Sequence, residues 1–259
     1  MDDNLVKLIL FKSDIKTIVK ILALNKYWYN QADNIYTNLC MMDFNTASFE
    51  KFNIKSYKQL YQLFYVLKKL KVNIKSNITK LDISNNIPKE LAYLPKLNYI
   101  NLINPGTIPE YFYNKIISLN ISNSNLNNIP DEIGNLTRLD IFNISNNKIR
   151  QLPECIFNLT SLTKLYVNNN KLTELPASVK KLTELNVLYI SCNNINKLPD
   201  EITQLTKLIE LSIEKTDISA LPHIDNLQVL VINNENVVKI PKSLKQKNNL
   251  YIFKTALIH

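Results

Sequence analysis

The sequence predicts an α/β solenoid, a parallel sheet of short strands with one return segment per strand, preceded by a small all-helical N-terminal module. Three observations carry this. Residues 116–138, 139–161, 162–184 and 185–207 superpose without a gap, so the chain repeats with a period of 23. Each copy places apolar residues at positions 1, 4, 6, 11, 14, 18 and 21 and proline at 15. Before residue 78 that period is absent, and apolar residues recur at helical spacing instead.

In residues 1–50, Ser13-Asp14 offers a cap for a helix carrying Ile15, Ile18, Val19 and Leu22, followed by LNKYW at residues 24–28 and ADNIYTNL at 32–39. The succession Asp14-Ile15, Leu24-Asn25-Lys26-Tyr27-Trp28 and Ile35-Tyr36 resembles the F-box, a helical module that docks the adaptor of cullin-type ubiquitin ligases. That resemblance implies a docking surface drawn from Leu5, Leu8, Ile9, Asp14, Ile15 and Trp28. The Leu-Pro-x-Glu opening usual in that family is replaced by Asn4-Leu5-Val6-Lys7. A plain helical cap with Trp28 as its core anchor is the other reading of the same residues. In residues 51–77, SYKQ from Ser56 to Gln59 forms a capping box, and Tyr57, Leu60, Tyr61, Phe64 and Leu67 share one helical face. This helix is expected to cover the open end of the first repeat, which would otherwise expose its leucines.

The repeats follow over residues 78–249. One copy reads Leu139, Phe142, Ile144, Ile149, Leu152, Pro153, Ile156 and Leu159; the next reads Leu162, Leu165, Val167, Leu172, Leu175, Pro176, Val179 and Leu182. The pattern resembles the leucine-rich repeat, LxxLxLxxNxLxxLP, in the 23-residue form of intracellular members. With shorter copies of 19 residues allowed, eight units start at Ile78, Leu97, Ile116, Leu139, Leu162, Leu185, Leu208 and Leu227. A partial strand at residues 250–253 then opens a C-terminal cap over residues 250–259. The resemblance implies one strand per unit on a concave face, an irregular or short helical return behind it, and leucines buried between neighbouring coils.

Asparagine occurs 38 times against two glycines, so the turns must rely on the non-glycine residue that best tolerates left-handed backbone angles. Position 9 falls on Asn147, Asn170 and Asn193, where the chain turns inward after each strand. A side-chain amide carries both donors and an acceptor, so stacked asparagines can pair backbone groups that a buried turn leaves open. The resemblance implies such a ladder. It is interrupted where position 9 is Ser124, Thr216 or Glu235.

With positions 4 and 6 inward, positions 3, 5 and 7 point out of the sheet. The candidate partner-binding residues on that face are Tyr99, Ile141, Lys164, Tyr166, Val187, Tyr189, Glu210, Val229 and Val231. From the fifth unit onward the tyrosines and valines form a patch of the kind that marks protein interfaces. The preference of Tyr and Val for strands is the competing explanation.

Composition excludes several other functions. Two histidines, His223 and His259, leave a histidine-dependent catalytic set almost no material, and by the repeat register His223 is a surface residue of the return side. Gly106 and Gly134 are too few and too far apart for a phosphate-cradling loop. No metal-ligand spacing occurs, and no cofactor is expected. Cys40, Cys155 and Cys192 are odd in number and scattered, which fits a reducing compartment. The net charge of +9 is concentrated in residues 1–77, which hold 12 lysines against 6 acidic residues. Runs such as KKLK at residues 68–71 read as solvated helix faces, not as a nucleic-acid site. Neither a signal peptide nor a membrane span is expected from the sequence.

The combined expectation is a cytoplasmic, monomeric, non-enzymatic adaptor of a cullin-type ubiquitin ligase, which binds its protein target on the concave strands. A repeat scaffold or inhibitor with no ubiquitin role is the alternative. The Asn, Ile and Lys bias, with an F-box-like start followed by SYKQLY, resembles leucine-rich repeat and F-box proteins of giant viruses of amoebae, which implies the cytoplasm of an infected host.

Overall fold

A computed structural model describes residues 78–84, 87–94, 96–103, 106–233, 239–246 and 249–255, together with Val66. The expected F-box-like segment, with Leu5, Leu8, Ile9, Asp14, Ile15 and Trp28, lies outside the described residues, as does the helix expected over residues 51–77 apart from Val66. The chain divides into two compact units, Met1–Ile78 with Pro88–Lys96 and Thr79–Ile87 with Leu97–His259. In the first unit Pro88 leads into a 3-10 helix, Lys89–Tyr93, on which Leu91 is buried.

The second unit holds a sheet of nine parallel strands in chain order: β1 (Lys80–Ser84), β2 (Tyr99–Ile103), β3 (Ser118–Asn120), β4 (Ile141–Asn143), β5 (Lys164–Tyr166), β6 (Val187–Tyr189), β7 (Glu210–Ser212), β8 (Val229–Asn233) and β9 (Tyr251–Thr255). Strands β1 to β8 each begin at position 3 of a repeat. Their register is one of like on like, with Phe142 opposite Leu165, Leu165 opposite Leu188 and Leu188 opposite Leu211. Parallel strands need a crossover between them, and here the return segment of each coil supplies it. Positions 4 and 6 are sealed inside: Phe142, Ile144, Leu165, Val167, Leu188 and Ile190 are all fully buried.

The returns are built on the proline at position 15. Pro130, Pro153, Pro176 and Pro199 have φ between −62° and −68°, the value their rings impose. Each sits just ahead of a five-residue 3-10 helix: Asp131–Asn135, Glu154–Asn158, Ala177–Lys181 and Asp200–Gln204. Proline lacks an N–H, and a helix start leaves N–H groups unused in any case, so nothing is lost there. These returns close with i→i−3 bonds, Val179 N–H to the Pro176 carbonyl and Leu182 N–H to the Val179 carbonyl, both at 3.0 Å, the tighter 3-10 form used in short pieces. Its apolar positions 18 and 21, such as Val179 and Leu182, are fully buried.

Immediately after the strand, position 8 adopts the left-handed conformation in five successive coils: Asn123 (φ 58°), Asn146 (57°), Asn169 (54°), Cys192 (55°) and Lys215 (49°). This accounts for the asparagine that directly precedes position 9 in three of these coils, Asn123, Asn146 and Asn169. At the C-terminal end, Pro241 precedes a short helix α1 (Lys242–Lys245) whose Leu244 is buried. Strand β9 then pairs with β8, Val229 opposite Tyr251 and Leu230 opposite Ile252. Among the described residues no helix is long and apolar enough to cross a membrane.

Candidate interaction face of the sheet

The inner rim of the sheet is fixed by amides. The Asn147 side chain accepts from the N–H groups of Ser124 and Leu126, both at 3.0 Å, and donates to the carbonyls of Ile121 and Ile144, also at 3.0 Å. Asn170 accepts from Ile149 N–H and donates to the Ile144 and Val167 carbonyls, each at 3.0 Å. Asn193 accepts from Leu172 N–H at 2.9 Å and donates to the carbonyls of Val167 at 3.0 Å and Ile190 at 2.9 Å. Each amide thus ties its own strand end to the coil before it. All three residues are buried, so these bonds meet little competition from water. Where the ladder changes residue, Ser124 donates to the Leu102 carbonyl at 3.1 Å and Thr216 to the Ile213 carbonyl at 2.7 Å.

The rim positions the outward face. Tyr99, Ile141, Lys164, Tyr166, Val187, Tyr189, Glu210, Val229 and Val231 are all half-buried, on strands β2 and β4 to β8. Pointing outward is not the same as being reachable, however. Ser118, Ser145, Ser191 and Ser212 on the same columns are buried, because small side chains lie in the shade of taller neighbours. Along β3 and β4 position 5 is asparagine, and Asn120 and Asn143 accept from the N–H groups two residues on, Ser122 and Ser145, at 3.0 Å. From β5 the same position becomes tyrosine, and the face changes from an amide shelf to an aromatic one.

The rings of Tyr166 and Tyr189 meet edge to face, with centroids 5.1 Å apart and planes at 87°. The Tyr189 hydroxyl donates to the carboxylate of Glu210 on the next strand. Burial, the bond to Glu210 and its negative charge push the Tyr189 phenol well above the ordinary tyrosine range. Burial first and the Glu210 charge second push Tyr166 up as well. Both hydroxyls are therefore neutral donors at physiological pH. At the far end of the face, the register of β9 places Tyr251 and Phe253 beside Val229 and Val231. They are 66% and 55% exposed, and the sequence reading passed over both. The alternation of β9 was the available signal, once its pairing with β8 is known.

Chemistry elsewhere is modest. His223 lies with Nδ1 2.7 Å from Ser243 Oγ and Nε2 2.8 Å from Asp225 Oδ1, a serine–histidine–aspartate chain in outline. All three residues are exposed, so water competes for every hydrogen bond in the chain. The contact reads as a clasp between the seventh coil's return and α1. The thiols of Cys155 and Cys192 are both pushed up, chiefly by burial; beside Cys192 the charge of Lys215 offsets part of that. Both stay protonated and weakly nucleophilic. Among the described residues no group of three or more His, Cys, Asp or Glu is arranged to hold a metal.

The family model for Leucine rich repeat matches residues 115–172 and 160–218. Residues 115–218 are leucine-rich repeats. Such repeats are typically non-enzymatic protein-interaction modules. Among solved structures, a leucine-rich repeat protein of Leptospira interrogans is 26% identical with a TM-score of 0.60, over 73% of this chain and 52% of that one. The leucine-rich repeat ectodomain of the Arabidopsis thaliana receptor kinase GASSHO1/SCHENGEN3, solved in complex with Casparian strip integrity factor 2, is 24% identical with a TM-score of 0.51. It is matched over 66% of this chain and 22% of its own length, and the likeness is one of fold. The chain spans about half of the first of these proteins and about a fifth of the second. A comparison with curated proteins finds no match.

Proposed function

We propose that the chain is a recruiting adaptor, whose outward strand face holds a protein target while residues 1–50 dock the adaptor subunit of a cullin-type ubiquitin ligase. Target binding is carried by one observation: from β5 onward Tyr166, Tyr189, Val187, Val229 and Val231 gather on a face that a merely solvated sheet would fill with polar residues. The Arabidopsis ectodomain shares the fold and is in complex with Casparian strip integrity factor 2; partner binding, not that partner, is what the proposal extends to this chain. Ligase docking is supported by the succession Asp14-Ile15, Leu24 to Trp28 and Ile35-Tyr36 ahead of the repeats. The proposed place of action is the cytoplasm, that of an infected host if the chain is viral, and the proposed working form is a monomer.

Affinity purification of the full chain, followed by mass spectrometry, tests both halves. A target and the ligase adaptor should co-purify, and deleting residues 1–50 should lose the adaptor while the target stays. Recovery of a target but never of the ligase adaptor would favour the second reading, a scaffold or inhibitor with no ubiquitin role. That reading draws on the Asn4-Leu5-Val6-Lys7 opening, which lacks the usual proline and glutamate. For the face itself, Tyr166→Ala with Tyr189→Ala should weaken target capture and leave the melting transition cooperative.

A further inference from the structure

The outward face carries a carboxylate that calls for a cation. Glu210 is half-buried on β7, and its Oε1 accepts the Tyr189 hydroxyl. None of the ion pairs among the described residues includes it. The nearest basic side chains by register are Lys164, two strands away on β5, and Lys215, three residues past β7, and neither forms an ion pair with it. A carboxylate drawn out of water beside two aromatic rings has lost hydration that a single phenol does not replace.

We propose that Tyr166, Tyr189 and Glu210 form a subsite for a basic side chain of the protein partner, with arginine fitting better than lysine. The inference rests on the outward face being the partner-binding surface and adds the partner's chemistry. By donating its hydrogen bond to Glu210, the Tyr189 hydroxyl turns its lone pairs outward, so an incoming guanidinium meets two acceptors, that oxygen and Glu210 Oε2. The edge-to-face arrangement fixes both rings, and a ring face held still beside a carboxylate attracts a cation through its quadrupole and through the charge together. A guanidinium is planar, weakly hydrated and able to stack while donating two hydrogen bonds, which an ammonium does not do. Val187, beside Tyr189 on β6, gives the aliphatic stem apolar surface to lie on. The same face already uses this contact internally, since Lys80 Nζ stands 4.5 Å above the ring of Tyr99.

The test is a selection from a random linear dodecapeptide library on the immobilised full chain, with each winning peptide remade with citrulline in place of arginine. The enriched peptides should share one basic residue, arginine more often than lysine. The citrulline exchange, which keeps the shape and removes the charge, should raise Kd about tenfold on the wild-type chain and less than about twofold on Glu210→Gln, with unchanged melting as the control. Winners that need Tyr166 and Tyr189 but share no basic residue, or that tolerate citrulline on the wild-type chain, overturn the subsite and leave the binding face standing. Winners that bind the Tyr166→Ala, Tyr189→Ala chain equally well overturn the face, and a library without any winner overturns both for linear segments.

Discussion

Asn170 shows how much of this architecture rests on single side chains. Its amide is the partner of Ile149 N–H and of two strand-end carbonyls, all at 3.0 Å and all within a buried rim. Leucine has the same number and branching of side-chain heavy atoms but offers none of those bonds. Asn170→Leu is therefore expected to destabilise by about 1–3 kcal/mol, because the buried Ile149 N–H loses its partner and the Ile144 and Val167 carbonyls each lose one of two amide donors. Denaturant titration of the two proteins measures it, and equal midpoints would mean that water replaces the amide. The opposite change is available one position earlier. Cys192 holds φ at 55° where Asn123, Asn146 and Asn169 hold 58°, 57° and 54°, and cysteine tolerates that region less well than asparagine. Cys192→Asn should stabilise by about 0.5–1 kcal/mol on relief of that strain. A lower midpoint would show that the half-buried thiol contributes more by packing than its backbone costs. The ladder was legible in the sequence because buried amides at a fixed period have few other uses. The bond from Tyr189 to Glu210 was not: the columns tell which side chains share a face, while the meeting of two of them 21 residues apart depends on rotamers.

At the scale of the elements, the returns show why one repeat tolerates only certain residues. The 3-10 helices Asp131–Asn135 and Glu154–Asn158 pack side by side, and Gly134 faces Cys155 so closely that an added Cβ would lie 2.8 Å from both the Cys155 Cβ and its carbonyl oxygen. Backbone cannot step aside as the tip of a flexible side chain can. Gly134→Ala should cost about 1–3 kcal/mol by overpacking. Adding Cys155→Gly should recover only part of it, since the carbonyl remains; full recovery in a denaturant titration would assign the clash to the side chain alone. The same position is Phe157 in the next coil, so the 23-residue pattern gave no hint that glycine was required at one return only. The last strand was obscure for a related reason. Pro241 still holds position 15 of the eighth unit, but beyond it no landmark fixes the register, and only pairing with β8 decides that Ile252 faces Leu230 while Tyr251 and Phe253 turn outward.

Across the stack as a whole, each coil touches only its neighbours in the sheet, so stability should be a sum of coils and of interfaces between adjacent ones. Leu165 and Leu188 lie opposite each other on β5 and β6, and both are fully buried. Each Leu→Ala change should cost about 2–5 kcal/mol from lost transfer energy and the cavity left behind. Together they should depart from additivity by 0.5 kcal/mol or more, roughly, because the two cavities adjoin and can collapse as one. Leu119 on β3 and Leu211 on β7 are as well buried but four strands apart, about 19 Å at the usual strand spacing. Their double substitution should equal the sum of the singles to within about 0.5 kcal/mol, provided unfolding stays two-state. Denaturant unfolding of the two double-mutant cycles separates the cases. A coupling as large for the distant pair as for the adjacent one would mean that the core responds as a single body, and the picture of coils bound only to their neighbours would have to be given up.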